Sequence, residues 1–189
     1  MTKVIINVAV GEIKKNNTAK SGDLLILTKA LGTGIITQLI KKDSSNIDSV
    51  LNESINSMTM LNKKAADIMK NYPVNACVDI TGFGLLGHLY NMISQSNKNC
   101  ELNINHIPIF KGLDSIVDTN DLATGSKENI KYLDKKLTGL KTIDSKIKSI
   151  ICDAQTSGGL LLSTPPKFAA EIIGKLNKSE HKKASIIGS

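Results

Sequence analysis

A chain of 189 residues is long enough for one domain with a sizeable core, and it lacks any run of about 20 apolar residues that could cross a membrane as a helix. Its formal net charge of +7 rests on 24 basic residues, every one of them lysine, with aromatics at only 3%; without arginine forks or stacking rings, no nucleic-acid partner is expected. The start, Met1-Thr2-Lys3-Val4-Ile5-Ile6-Asn7, is too short and polar for a secretory signal, so a cytoplasmic protein is expected, with no membrane partner.

In chain order, Val4 to Val10 reads as a short β run with no preceding partner, as if the chain began in the middle of something. Leu24 to Thr28 is a second, fully apolar strand, and Gly32-Thr33-Gly34 then opens a helix over Ile35 to Lys41. Ser45 and Asp48 form a capping-box pattern ahead of a long helix, roughly 47 to 71, striped by Leu51, Ile55, Met58, Leu61, Ala65, Ile68 and Met69 and stopped by Pro73. That stripe is core. Asn75 to Asp79 is a strand and Gly84 to about Ser96 a helix; Cys100 to Asn105 alternates as a half-buried strand does. A short helix follows near Gly112 to Val117, then a polar, lysine-rich stretch from Asp118 to Lys148 with a long loop and one exposed element. Ser149 to Cys152 and Gly159 to Ser163 read as strands, Pro166 to Leu176 as a helix, and Ala184 to Ile187 as a last strand that stops abruptly. Interleaved strands and helices predict an α+β domain, a layered α/β sandwich with a mixed sheet covered by helices.

The stretch Ala76 to Leu89 carries most of the chemical information. A strand ends in Asp79, and Thr81-Gly82-Phe83-Gly84 turns the chain into a helix. A carboxylate beside a helix entry whose glycines let backbone N–H groups approach an anion suits a metal and a polyphosphate together. A lone Asp after a strand is also a common turn former, so spacing alone leaves both roles open for Asp79. His88 reads as a helix-face histidine bonded to a nearby loop, and no second His or Cys stands at zinc-ligand spacing. A second glycine signal, Thr156-Ser157-Gly158-Gly159, enters a strand instead of leaving one, so it is no nucleophile elbow; it is a phosphate-facing or a structural turn. Thr124-Gly125-Ser126-Lys127-Glu128-Asn129 reads as a loop. Cys77, Cys100 and Cys152 are singletons, reduced in such a compartment, and Cys77 and Cys152 sit in apolar strand-like runs as buried small hydrophobes.

Three stretches, Gly22 to Gly34, Ala76 to Leu89 and Cys152 to Leu162, resemble in order and spacing the C-terminal domain of selenophosphate synthetase (selenide, water dikinase), within the wider superfamily of aminoimidazole ribonucleotide synthetase. The resemblance implies that superfamily's C-terminal-domain fold over residues 11–189, with residues 1–10 as a trailing strand of an absent N-terminal domain and the final strand truncated. It implies an enzyme that makes selenophosphate, AMP and phosphate from selenide, ATP and water, with Mg²⁺ and ATP held between two domains of a homodimer. Asp79 matches the family's metal-binding Asp in this domain. Gly82, Gly84, Asn129, Thr156, Ser157, Gly158 and Gly159 match its nucleotide-facing loops. Two positions depart from the pattern: Ala154 replaces a Pro, and Thr124 replaces the first Gly of a Gly-Gly-Thr motif.

The family's reactive Cys or selenocysteine, its catalytic Lys and its other Mg²⁺-binding Asp residues belong to the N-terminal region. No catalytic nucleophile is therefore expected in this chain, which is expected to be inactive alone. The competing readings are another ATP-using member of the superfamily and a non-catalytic module that dimerises or binds nucleotide.

Overall fold

The structure, a computed structural model, describes residues 14–42 and 47–189. The β run at Val4 to Val10 and the cap at Ser45 lie outside the described residues. Four strands, β1 (Leu24–Leu27), β2 (Ala76–Asp79), β3 (Leu160–Thr164) and β4 (Ser185–Gly188), form one sheet in the order β2-β3-β1-β4. The sheet is not the mixed one expected: all three pairings are antiparallel, and the parallel contact is an isolated bridge between Leu31 and Ile109, outside the strands. Around the sheet lie α1 (Thr33–Lys41), α2 (Asp48–Thr59), α3 (Lys63–Met69), α4 (Gly84–Gln95), α5 (Leu113–Ile116), α6 (Thr124–Leu133), α7 (Ser145–Cys152) and α8 (Pro166–Asn177).

Successive side chains of a strand point to opposite faces, and both faces are covered here. Ile26 and Leu162 join Ala65 and Ile68 of α3 and Ile172 and Leu176 of α8 on one side. Leu25, Leu27 and Leu161 join Ile36, Leu85, Leu89 and Ile151, from α1, α4 and α7, on the other. The central strand β3 is accordingly buried at all five positions. This is the expected α+β layering, with helices on both sides of the sheet.

Four elements differ from the sequence expectation. The helix expected over 47–71 is two helices, because Met60 adopts an extended conformation (φ −68°, ψ 123°) and ends α2. At the break the Lys29 ammonium takes the carbonyls of Ser57 (3.0 Å) and Met60 (2.7 Å). A cation is favoured at the negative end of a helix. The run Ser149 to Cys152 is the end of α7 instead of a strand. Ile147, Ile150 and Ile151 recur at helical spacing, and the Asp144 carboxylate caps the helix by accepting from the N–H groups of Lys146 and Ile147. Within Cys100 to Asn105 only residues 101–103 pair with the last strand, around the bridge of Leu102 to Gly188, before the Asn103 side chain accepts from the Asn105 N–H and curls the chain into a 3₁₀ turn. Finally, Thr124 to Asn129 is the start of α6 instead of a loop.

Candidate functional site

The ends of β2 and β3 bring the two glycine segments side by side. The Ile80 N–H donates to the Gly159 carbonyl (2.8 Å) and the Gln155 N–H to the Thr81 carbonyl (2.9 Å). Gly158 lies so close to β2 that a Cβ there would stand 2.2 Å from the Ile80 oxygen; one at Gly159 would stand 2.7 Å from the Lys29 nitrogen. Gly84 opens α4 with φ +64°, and a Cβ there would meet the Cys152 carbonyl at 2.7 Å. These three glycines are buried, and their missing side chains let the segments pack backbone against backbone. What remains exposed is Asp79, Thr81, Gly82 and Phe83 from the first segment and Thr156 and Ser157 from the second.

A buried polar network holds these loops. Gly32, at the N-cap of α1, brings no side chain, so that helix is capped from across the fold. The Gln155 side-chain oxygen accepts from the N–H groups of Gly32 (2.9 Å) and Thr33 (3.2 Å), and Asp153 Oδ2 accepts from the Ile35 N–H (3.0 Å). Asp153 Oδ1 accepts from the Ser126 hydroxyl (2.8 Å) at the start of α6. Burial drives the Asp153 carboxyl up to about 6, against the pull of its hydrogen bonds from Ser126, Ile35, Gln155 and Gly34. The Thr156 N–H donates to the Thr33 hydroxyl (2.8 Å), which fixes the start of the exposed turn.

Asn129 sits one turn further along α6. Its amide N–H groups reach the Gly82 carbonyl (2.9 Å) and the Cys152 carbonyl (3.1 Å), clamping the first loop. His88 does what a helix-face histidine was expected to do. Its Nε2 accepts from the Thr81 N–H (3.1 Å) and lies 3.1 Å from the Thr81 hydroxyl, so the ring proton belongs on Nδ1. Burial lowers its pKa and the nearby Asp79 charge partly restores it. The thiols of Cys77 and Cys152 are pushed up to about 12, first by burial and then by neighbouring carboxylates. Cys152 is buried, as expected, although on a helix and not a strand, whereas Cys77 is only half-buried.

Asp79 stands exposed at the end of β2, with no ion pair among the described residues. No cluster of three or more His, Cys, Asp or Glu that could hold a metal occurs among the described residues. A single free carboxylate beside backbone donors suits an ion that takes its other ligands from phosphate and water. The supporting residues Lys29, Thr33, Ser126, Asp153 and Gln155 carried no role in the sequence reading. Polar side chains directly following an apolar strand, as Thr28-Lys29 follows β1, were the signal available.

A sheet-and-helix sandwich with these two apposed glycine loops defines a known class. The chain belongs to the family described as AIR synthase related protein, C-terminal domain, whose model matches residues 20–189. Among curated relatives it is 41% identical over 177 residues to the selenide, water dikinase of Caldanaerobacter subterraneus subsp. tengcongensis, covering 94% of this chain and 51% of that protein. It is 37% identical over 179 residues to the selenide, water dikinase of Aliarcobacter butzleri, with the same two coverages, 94% and 51%. The chain thus spans about half the length of the curated relatives it matches. Among solved structures it is similar to hydrogenase maturation protein HypE in complex with ATP, at 17% identity and TM-score 0.61 over 93% of this chain and 44% of that one. It is also similar to thiamine-monophosphate kinase from Stenotrophomonas maltophilia K279a, at 14% identity and TM-score 0.62 over 93% of this chain and 49% of that one. At such identities the likeness is one of fold. No helix among the described residues is long and apolar enough to cross a membrane.

Proposed function

We propose that this chain is the nucleotide-side C-terminal half of a selenophosphate synthetase, the enzyme that converts selenide, ATP and water to selenophosphate, AMP and phosphate. The observation that carries the reading is the apposition of the Asp79–Gly84 and Thr156–Gly159 segments, the two stretches most specific to that family, on one exposed face. The domain extends over residues 11–189, and an N-terminal domain of the complete protein supplies the other wall of the groove in a cytoplasmic homodimer.

In this reading Asp79 supplies one carboxylate to Mg²⁺, which neutralises phosphate charge when bound. The free N–H groups around Gly82 and Ser157 face the nucleotide. Gly84, Gly158, Gly159 and Asn129 act one step back, by packing and clamping those loops. His88 holds the Thr81 backbone and stays neutral beside Asp79. The reacting nucleophile lies outside this chain.

The test is selenide-dependent AMP release from ATP by the complete synthetase, with Asp79→Asn beside it. The reading predicts activity in the parent and loss of activity, with weakened Mg²⁺ dependence, in the variant. ATP consumption that ignores selenide would move the chain to another member of the family, and an unchanged Asp79→Asn enzyme would remove the metal role.

A further inference from the structure

Lys29 is 1% exposed, yet it carries an ammonium group into the interior directly behind the second glycine loop. All three of its donors are used, on the carbonyls of Ser57 (3.0 Å), Met60 (2.7 Å) and Ser157 (2.9 Å). No carboxylate forms an ion pair with it among the described residues. Burial lowers its pKa, and the only charge opposing that shift is the more distant Glu180. A buried cation with carbonyls alone for partners is costly, and capping α2 does not require one, since water or a backbone turn satisfies most helix ends.

The third bond distinguishes Lys29 from a simple helix cap. Ser157 is one of two non-glycine residues with positive φ among the described residues, at +52°, and it is in this conformation that its carbonyl meets the ammonium. A left-handed serine is strained and persists only where its surroundings enforce it. The Asn62 side chain adds a second tie from the same α2–α3 junction, donating to the Gly158 carbonyl (2.8 Å). The backbone of Lys29 also lies against Gly159, where a Cβ would stand 2.9 Å from the Lys29 Cβ. The loop is thus gripped by the backbone and by the side chain of the same residue.

We propose that Lys29 is a positioning residue for the nucleotide loop: its ammonium locks Ser157 in the left-handed conformation and sets a fixed positive charge behind the turn that meets phosphate. This rests on the reading of the site as a nucleotide groove. The ammonium cannot touch a ligand while its donors are occupied; it acts through the Thr156–Ser157 backbone and through its field, which a low-dielectric surround leaves largely unscreened.

The test compares Lys29→Met with Ile172→Ala in the complete protein. Ile172 is fully buried in the apolar cluster of α3, α8 and the sheet, so its variant supplies a loss of stability that removes no hydrogen bond to the loop. Two quantities are read: Mg-ATP affinity, and hydrogen exchange of the Thr156, Leu160 and Ile80 amides, which are bonded to Thr33 Oγ1, Thr28 Oγ1 and the Gly159 carbonyl. Lys29→Met is expected to speed those exchanges and weaken Mg-ATP binding about tenfold, the scale of one lost charge-assisted bond, while Ile172→Ala leaves the affinity unchanged. Equal affinity losses in both variants, or unchanged exchange in Lys29→Met, would overturn the proposal. If Lys29→Met does not fold, Lys29→Gln, which keeps two donors without the charge, is read the same way. If the parent binds no Mg-ATP, the nucleotide reading fails, and the exchange data alone decide whether Lys29 positions the loop.

Discussion

Replacing Asp153 by Asn should remove a pH dependence that the fold builds into itself. Asp153 is 1% exposed, and its oxygens accept from the Ile35 N–H (3.0 Å), the Ser126 hydroxyl (2.8 Å) and the Gln155 amide (3.0 Å). Desolvation outweighs these donors, so the carboxyl titrates at about 6 instead of its ordinary 3.8. The folded state therefore binds this proton more tightly than the unfolded state. Stability falls as pH rises from about 4 to about 6 and then levels, and the ionised group costs about 3 kcal/mol at neutral pH. An asparagine keeps one oxygen for Ile35 and Gln155, and its amide can donate to the Ser126 hydroxyl, with no charge to desolvate. The assay is urea unfolding of both proteins at about pH 4 and about pH 7.5, taken as a double difference so that other carboxylates cancel. The variant should gain about 2 kcal/mol on the wild type between those pH values, since unfolded Asp is already partly ionised at the lower one. Parallel pH profiles would refute the reasoning, because they would mean the carboxylate titrates alike in both states.

Four further expectations follow from packing and burial. Gly158→Ala must push apart β2 and β3, whose Ile80 oxygen would lie 2.2 Å from the new Cβ; urea melts should show a loss of about 2–4 kcal/mol. Gly125→Ala, with open space around it in α6, should fall between neutral and about 1 kcal/mol stabilising in the same melts. Cys77 and Cys152 should resist a thiol-specific reagent in the native protein at mildly alkaline pH and react on unfolding, because both thiols titrate at about 12. An NMR titration should place His88 below its ordinary 6.5, with Asp79→Asn moving it lower still, since the Asp79 charge is what raises it. The sign for stability follows: the unfolded chain takes up the proton first, so this histidine destabilises the fold as pH drops below its ordinary value.

The hydrophobic pattern made β1, β2, β3, α1, α4 and α8 legible, because each buries a regular face against the two sides of one sheet. The misread elements share a cause. At Met60 no proline or glycine marks the helix break, and the partner of its carbonyl is a lysine that lies 31 residues away in sequence. At Ser149 to Cys152 a run of four residues is too short for period to separate strand from helix, and the deciding Asp144 cap lay upstream in the stretch read as a long loop with one exposed element. The exposed parts of the candidate site were legible because glycine and a terminal carboxylate are local signals. Its scaffold was not: Gln155 reaches Gly32 and Thr33 across more than a hundred residues, and Asp153 reaches Ile35 likewise. The glycines illustrate the difference between motif and role. Gly158 and Gly159 belong to the most specific stretch, yet each is a contact point for another backbone.

If Asp79 and the two loops form one metal–nucleotide face, substitution of paramagnetic Mn²⁺ for Mg²⁺ reads it most directly. With Mn²⁺ and ATP added to the complete protein, amide resonances of residues 79–84 and 156–158 should broaden first, and Asp79→Asn should abolish the effect without shifting the thermal midpoint. Broadening centred elsewhere on the domain, or an undiminished effect in Asp79→Asn, would contradict the account.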